Sequence, residues 1–208
     1  MKDILFYPLA ALAAAGLVML ALEPFADRPP TGPVSAGNRN PEDITITGKE
    51  LHRFLPGPSG VLDVESNDFG DALLRITRFA EQVYDDPRQG PHLVLAEDVE
   101  NALASRPIEV IVEARSSGEF GASAFEMDYL ARTSEQSGWV SFPLTPEFQS
   151  YTLTWFTPPR GDDIGYDYIG VRPVTPDKRR SMEIRSVRLR ATGPRQIPGF
   201  RTDTPPPE

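Results

Sequence analysis

Charged and aromatic side chains on predicted strands are the residues of this sequence best suited to binding chemistry. Arg75, Glu113 and Arg115 alternate with apolar residues. In a later segment Tyr166 and Tyr168 share one face of a predicted strand whose other face carries Ile169 and Val171. Because strand side chains alternate between two faces, all five are expected to project away from the core. A pyranose has apolar C–H faces and a polar rim, so sugar sites combine aromatic rings with charged hydrogen-bonding groups. These residues therefore predict a ligand-binding face for a saccharide; a solvated strand face with cross-strand ion pairs is the alternative.

Catalytic signatures do not occur in the sequence. It has no nucleophile elbow, phosphate-binding loop or dinucleotide fingerprint. His52 and His92 lack an acidic or histidine partner at ligand spacing. Adjacent acids such as Asp85 and Asp86 point apart on a strand or lie solvated in a loop, whereas glycoside hydrolysis needs two carboxylates facing one another across a cleft. We therefore expect a protein that is not an enzyme and needs no cofactor.

One acidic segment offers the best metal ligands in the chain. Asp162, Asp163 and Asp167 could hold a structural Ca²⁺ together with loop carbonyls, because this ion prefers oxygen ligands. Their spacing lacks the EF-hand pattern. No metal site is predicted, and structural calcium stays an open alternative.

The charge of the chain is unevenly distributed. A net charge of −9 excludes the basic footprint that nucleic-acid-binding proteins need, and the absence of cysteine excludes disulfides and thiolate metal sites. Six basic residues are nevertheless concentrated near the C-terminal end. They suggest contact with an anionic surface such as lipid headgroups or an acidic polysaccharide; the alternative is that they offset the nearby Asp162, Asp163 and Asp167. They are Lys178, Arg179, Arg180, Arg185, Arg188 and Arg190.

The elements that must position these residues are mostly short strands. Alternating apolar patterns over residues 44–192 predict nine or so strands, of which 108–115 and 182–190 are clear examples. A change of parity in the second example predicts a β-bulge near Ser186. One short helix is predicted over residues 97–105, where acids occupy the first turn. The expected fold class is all-β, a two-sheet sandwich.

Residues 137–159 contain both tryptophans and are expected to organise the sandwich. Two alternating segments flank a polar turn, which predicts a central hairpin. Trp155 is in register with Leu153 and Tyr151, so we expect both Trp139 and Trp155 in the core rather than on a binding surface.

The N-terminal segment is strongly apolar. Residues 4–22 carry no charge and as a helix would approach the hydrocarbon thickness of a bilayer. We predict a signal-anchor transmembrane helix over residues 1–22, with a cleaved signal peptide as the alternative. A Pro-rich linker over 23–43, the sandwich domain over 44–192 and a Pro-rich tail over 193–208 complete the expected organisation.

Three passages resemble the galactose-binding-like jelly roll, the β-sandwich shared by many carbohydrate-binding modules. They are AEDVENALASRPIEVIVEAR, SGWVSF with YTLTWFTPP, and YDYIGVRP with MEIRSVRL. The resemblance spans roughly residues 44–192 and implies a jelly-roll sandwich whose final strand returns beside the first. That fold hosts sugar, protein and lipid-surface binding as well as structural roles, so it transfers no ligand residue by itself.

The sequence thus predicts a bacterial inner-membrane protein that presents one jelly-roll domain to the periplasm. The expected function is non-catalytic binding of a saccharide or envelope glycan, auxiliary to polysaccharide assembly or export. A protein-interaction or structural subunit of an envelope complex is the alternative. A cleaved signal would instead make the protein periplasmic or secreted. Oligomeric state and ligand identity stay open.

Overall fold

A computed structural model describes residues 3–22, 28–58, 61–66, 71–81, 84–132, 135–160 and 165–196. The chain divides into two units, Met1–Pro30 and Thr31–Glu208. The first unit contains helix α1 (Asp3–Leu22), in which Tyr7, Leu9 and Leu12 are exposed. Among the described residues, no helix meets the length and hydropathy required of a membrane span.

The second unit is built from strands in two sheets. Its remaining helical elements are the short helix α2 (Glu97–Leu103) and two 3-10 turns, Gly48–Arg53 and Pro87–Gln89. The described strands are β1 (Asp43–Thr47), β2 (Val61–Ser66), β3 (Ala72–Phe79), β4 (His92–Val94), β5 (Pro107–Ser116), β6 (Ala124–Ala131), β7 (Glu135–Gln136), β8 (Val140–Pro143), β9 (Gln149–Phe156), β10 (Tyr168–Pro173) and β11 (Arg179–Ala191).

All described strand pairs are antiparallel. The six-stranded sheet has the order β2-β3-β11-β5-β9, with β1 also paired to β11. The five-stranded sheet has the order β4-β10-β6-β7, with β8 also paired to β6. The predicted all-β sandwich is confirmed, and β11 lies beside β1 as the jelly-roll resemblance implied.

Alternating side chains build the core between the two sheets. On β5, Ile108, Val110, Val112 and Ala114 are buried while the residues between them are partly exposed. Apolar residues of both sheets join one hydrophobic cluster, whose burial is the main favourable contribution to folding. Because side chains alternate along each strand, every second residue points outward and is available for binding.

The predicted bulge in the last strand is confirmed. The pairing of β11 with β5 shifts register between Ile184 and Ser186, so Arg185 is the extra residue. Ile184 and Val187 both remain buried despite their odd spacing. The bulge lets the apolar set change parity without turning a core residue toward solvent.

The predicted central hairpin is wrong. Strands β8 and β9 do not pair with each other: β8 pairs with β6 in one sheet and β9 with β5 in the other. The polar turn between them carries the chain across the sandwich, and Leu144 within it is buried. Alternation specifies which face of each strand is apolar but not which sheet the strand joins, so the sequence pattern fits both arrangements.

The folded domain begins earlier than residue 44. Val34 and Ala36, which lie in the stretch interpreted as a linker, are buried in the core. The Val34 amide donates to the Val94 carbonyl at 2.7 Å, and the Ala36 amide donates to the Asp98 carboxylate at 2.8 Å. These contacts attach the segment to β4 and to the first turn of α2.

Candidate functional site

The five predicted binding residues do not form one surface. Arg75, Glu113 and Arg115 lie on the outer face of the six-stranded sheet, as strand parity predicted. Tyr168 belongs to β10 in the five-stranded sheet, and Tyr166 precedes that strand with half of its surface exposed. The expected single face is therefore divided between two sheets, because parity distinguishes inside from outside but not one sheet from the other.

Arg75 and Arg115 are joined by a shared carboxylate. Glu183 on β11 lies between them, accepts from Arg115 Nε at 2.8 Å and from Arg75 Nη2 at 3.0 Å, and is only 4% exposed. The Ser117 hydroxyl donates to the same carboxylate at 3.3 Å. Burial acts to raise the pKa of Glu183, but the hydrogen bonds from the two guanidinium groups outweigh it and the pKa is lowered. The cluster holds three adjacent strands in register.

Glu113 is likewise engaged within its own sheet. Its carboxylate accepts from Arg185 Nη1 at 2.9 Å and from the Ser186 hydroxyl at 3.3 Å, so it fixes the bulge of β11. The Phe148 ring lies 4.5 Å from the Arg115 guanidinium and 4.0 Å from that of Arg185. Arg75, Glu113 and Arg115 are therefore engaged in ion pairs or cation–π contacts within their own sheet.

The basic residues of β11 form ion pairs with acids on neighbouring segments. This arrangement supports the interpretation in which the positive charge is offset locally, although the partners differ from the acids of residues 162–167. The pairs are Arg179–Glu119, Arg180–Asp177, Arg185–Glu113, Arg188–Asp43 and Arg190–Glu109.

The outer face of the five-stranded sheet carries an aromatic and charged cluster that sequence reasoning missed. Arg172 on β10 lies opposite Glu126 on β6, and its Nε donates to that carboxylate at 2.7 Å. The guanidinium lies 3.7 Å from the centroid of the Trp139 ring and 5.0 Å from that of Tyr84. Arg172 also donates to the Tyr84 carbonyl. We refer to Tyr84, Glu126, Trp139 and Arg172 as the tryptophan cluster.

Trp139 lies outside the core, so its predicted core position is wrong. It precedes β8, so strand parity does not extend to it, and its Nε1 donates to the Asp85 carbonyl at 2.8 Å. The ring packs over Gly170, where an added Cβ would approach the Trp139 ring to 2.8 Å and Pro87 Cβ to 2.7 Å. Trp155, in contrast, packs against the core as expected. A glycine inside a strand was the available signal, since it often marks a close approach of another group.

Two polar atoms near the tryptophan cluster are buried without a hydrogen-bond partner among the described residues. They are the Tyr84 hydroxyl and Asp128 Oδ2. The other carboxylate oxygen of Asp128 accepts from the Ser137 hydroxyl at 3.0 Å. Desolvation by burial raises the pKa of the Tyr84 hydroxyl. It also raises the pKa of the Asp128 carboxyl, although the hydrogen bonds to that group act in the opposite direction. Both atoms are buried beneath the surface, so neither is presented to a ligand on this face.

A short segment over residues 84–91 forms one rim of this face. Asp86 caps its 3-10 turn by accepting from the Arg88 amide at 2.9 Å, and the Arg88 guanidinium lies 5.7 Å from the Tyr168 ring centroid. His92 is bonded to the Gly90 carbonyl at 2.7 Å, and burial lowers its pKa. Tyr168 therefore lies at the edge of the tryptophan cluster. Of the five predicted binding residues, it is the one placed beside this cluster.

The candidate calcium ligands do not form a metal site within the described residues. Asp167 accepts from the Tyr129 hydroxyl at 2.7 Å and from the Arg132 amide at 3.0 Å, and its own amide donates to Glu100 at 2.8 Å. Burial raises the pKa of Asp167 and of Glu100. No group of three ligating side chains occurs in the described ranges. Asp162 and Asp163 lie outside the described residues.

Comparisons with solved structures identify the architecture. The CBM22-2 xylan-binding domain of Xyn10C from Paenibacillus barcinonensis matches with a TM-score of 0.51 at 10% identity, covering 72% of this chain and 99% of that one. The CBM22-1 xylan-binding domain of the same protein matches with a TM-score of 0.50 at 9% identity, covering 71% and 92%. The chain has the jelly-roll fold of carbohydrate-binding modules. No family model and no curated protein matches the sequence. At this identity the likeness establishes the fold, and function must be argued from the surface.

Proposed function

We propose that this protein is a non-catalytic module that binds a saccharide or envelope glycan on the outer face of its five-stranded sheet. The tryptophan cluster supplies an aromatic ring, a guanidinium and a carboxylate within contact distance of one another. A sugar ring needs this combination, because its C–H face packs on an aromatic ring while its hydroxyl groups require fixed donors and acceptors.

The stacked pair of Trp139 and Arg172 is the observation that carries this proposal. The guanidinium lies 3.7 Å from the ring centroid, and the indole nitrogen is bonded to the Asp85 carbonyl, so the ring is fixed before any ligand arrives. Trp139 is half-buried, which leaves part of its surface accessible. A preorganised platform avoids the entropy cost of ordering a side chain on binding.

Calorimetric titration of the full chain in detergent, with xylo-, cello- and manno-oligosaccharides, tests the proposal. Replacing Trp139 with Ala should weaken binding of the preferred oligosaccharide at least about tenfold, because deletion of an aromatic anchor removes most of its contact area. W139F keeps a ring but loses the bond to Asp85, so a smaller loss is expected and its fold should persist.

F156A is the matched control, because Phe156 is an exposed aromatic residue at the end of β9 in the other sheet. Its oligosaccharide affinity should equal that of the unaltered protein. Absence of binding to every oligosaccharide, or equal loss in W139A and F156A, would overturn the proposal.

The proposal includes attachment to the bacterial inner membrane, with the sandwich in the periplasm and a role beside polysaccharide assembly or export. Its support is the apolar helix α1, on which Tyr7, Leu9 and Leu17 are exposed rather than packed within a core. Reporter fusions at the C-terminus test it, since only a periplasmic terminus activates alkaline phosphatase. A cytoplasmic terminus would overturn the localisation, and a mature chain lacking residues 1–22 would establish the cleaved alternative.

A protein-interaction role is the second candidate, and one observation favours it. Strand β2 lies at an edge of its sheet, beside a groove of about 580 Å³ that Phe54, Leu62 and Val64 line. An extended peptide with apolar residues at alternate positions fits such a groove and edge, because its backbone can continue the sheet. Asp63 at the same edge would favour a basic residue opposite it. Crosslinking from position 63 in cells tests this role.

A further inference from the structure

A concave surface lies on the outer face of the six-stranded sheet, on a different sheet from the tryptophan cluster. It encloses about 170 Å³, and we refer to it as the arginine groove. Two arginines, one acid, one aromatic residue and three hydroxyl residues line it: Arg75, Arg179, Glu119, Phe120, Thr77, Ser117 and Ser181. That volume lies below the range of drug-sized pockets and suits a single small ring. The charged network around Glu183 ends at this groove, since Arg75 belongs to both.

Hydroxyl groups form the floor of the arginine groove. The Thr77 and Ser181 hydroxyl groups are 2.9 Å apart on adjacent strands, and the buried Ser117 hydroxyl donates to Glu183. A hydroxyl has one donor and two acceptor positions, so the Thr77–Ser181 pair retains capacity for a ligand. The floor therefore offers polar contacts at fixed positions on two strands.

Phe120 forms one wall, and its backbone is held in an unfavourable conformation. Its φ angle is +54°, in the left-handed region that non-glycine residues rarely adopt. The Ser181 amide donates to the Phe120 carbonyl at 2.8 Å, and Gly121 bridges to Ser181, so β11 imposes this geometry. The ring is nevertheless 42% exposed. Strained backbone that presents an exposed aromatic ring is more typical of a binding surface than of a purely structural turn.

Arg179 has the longest ion pair among the basic residues of β11, so its charge is offset less closely than theirs. Its guanidinium lies 3.6 Å from the Phe120 ring centroid, and its ion pair with Glu119 is long, at 3.6 Å. Glu119 is itself 82% exposed in its side chain, whereas Arg188 on the same strand pairs with Asp43 at 2.5 Å. A guanidinium provides five donors in a planar fork that matches a carboxylate. Arg179 is thus placed to receive an anionic ligand group at the open side of the groove.

We propose that the arginine groove binds one sugar residue that carries a carboxylate, a uronic acid. The pyranose ring packs against Phe120, its hydroxyl groups bond to the Thr77–Ser181 pair, and its carboxylate pairs with Arg179. The site lies on a different sheet from Trp139, so it does not depend on the function proposed above. Failure of either proposal leaves the other testable, because W139A should not alter binding in the groove.

The test is titration of the full chain, labelled with ¹⁵N, with methyl glucuronoside, methyl glucoside and acetate. The glucuronoside should shift the amide resonances of Thr77, Phe120 and Ser181, and it should bind at least about tenfold more tightly than either of the other two compounds. Equal binding of glucuronoside and glucoside would overturn the role of the carboxylate. Equal binding of glucuronoside and acetate would overturn the role of the sugar ring.

Three variants sharpen the test. R179Q removes the charge and should weaken glucuronoside binding about tenfold while leaving glucoside unaffected. F120G deletes the ring at a position where glycine adopts the required backbone without strain, so binding should fall while the fold persists. R188Q is the matched control with the same change of charge on the same strand, and its binding should be unaltered. Equal loss in R188Q and R179Q would overturn the assignment.

Discussion

Two buried carboxylates on the outer faces of the sheets respond to their surroundings in opposite directions. Glu183 is bonded to Arg75 and Arg115, which lower its pKa against the effect of burial. Asp128 has one oxygen without a partner among the described residues, and burial raises its pKa. The first group stabilises the fold as an anion, whereas the second resists ionisation. The two therefore give pH dependences of opposite sign.

Replacing Glu183 with Gln should destabilise the protein near neutral pH by about 1–2 kcal/mol, because charge-assisted hydrogen bonds to two guanidinium groups are lost. A lowered pKa means that the carboxylate contributes stability above its unfolded pKa of about 4.3 and loses it as pH falls through the lower folded value. The difference between E183Q and the unaltered protein should therefore vanish in strong acid. Urea unfolding between about pH 3 and pH 7 measures it. A difference independent of pH would contradict this account.

Asp128→Asn serves as the companion variant of opposite sign. A raised pKa favours folding below the unfolded value of about 3.9, and this contribution is lost as pH rises through the folded value. D128N should therefore be at least as stable as the unaltered protein near neutral pH, by up to about 1 kcal/mol, and the gain should shrink in acid.

Strand β10 shows how a single position organises an element. Gly170 leaves the space in which Trp139 and Pro87 pack, because a Cβ there would lie under 3 Å from both. G170A should displace the ring or the rim segment, lower the free energy of unfolding by about 1–3 kcal/mol and weaken binding at the tryptophan cluster. Thermal unfolding and oligosaccharide titration measure the two effects.

Gly118 provides the control for that substitution. A Cβ at Gly118 would meet nothing within 4 Å. G118A should therefore leave the unfolding midpoint and oligosaccharide affinity unaltered. Equal effects of the two substitutions would show that the close approach at Gly170 is not the cause.

At the scale of strands, alternation in the sequence predicts the faces well and the pairing poorly. The outward position of Arg75 and Arg115 and the bulge of β11 follow from parity, and the structure confirms them. Parity does not predict that β8 and β9 lie in separate sheets. A hairpin of the two strands and a crossing between the sheets would bury the same side chains. The tryptophan cluster was missed because Trp139 lies outside a strand and Arg172 gains its neighbours through tertiary contacts alone.

The whole domain depends on a segment that resembles a linker in composition. Val34 is 1% exposed and Ala36 is 4% exposed, and Asp98 bonds to the Ser35 hydroxyl and the Ala36 amide. A chain beginning at Thr31 should match the full chain in thermal stability, whereas one beginning at Asp43 should lose about 2 kcal/mol or more, since it lacks the buried valine. Calorimetry of both shortened chains measures this. Equal stability would contradict the boundary.

Strand β11 has a consequence for the order of events in folding. Its residues pair with β1, β3 and β5, and the pair of Asp43 with Arg190 joins positions far apart in the chain. The six-stranded sheet stays incomplete until β11 has left the ribosome, because β1, β3 and β5 all pair with this strand. High contact order slows folding, so we expect the six-stranded sheet to close only after β11 has been synthesised.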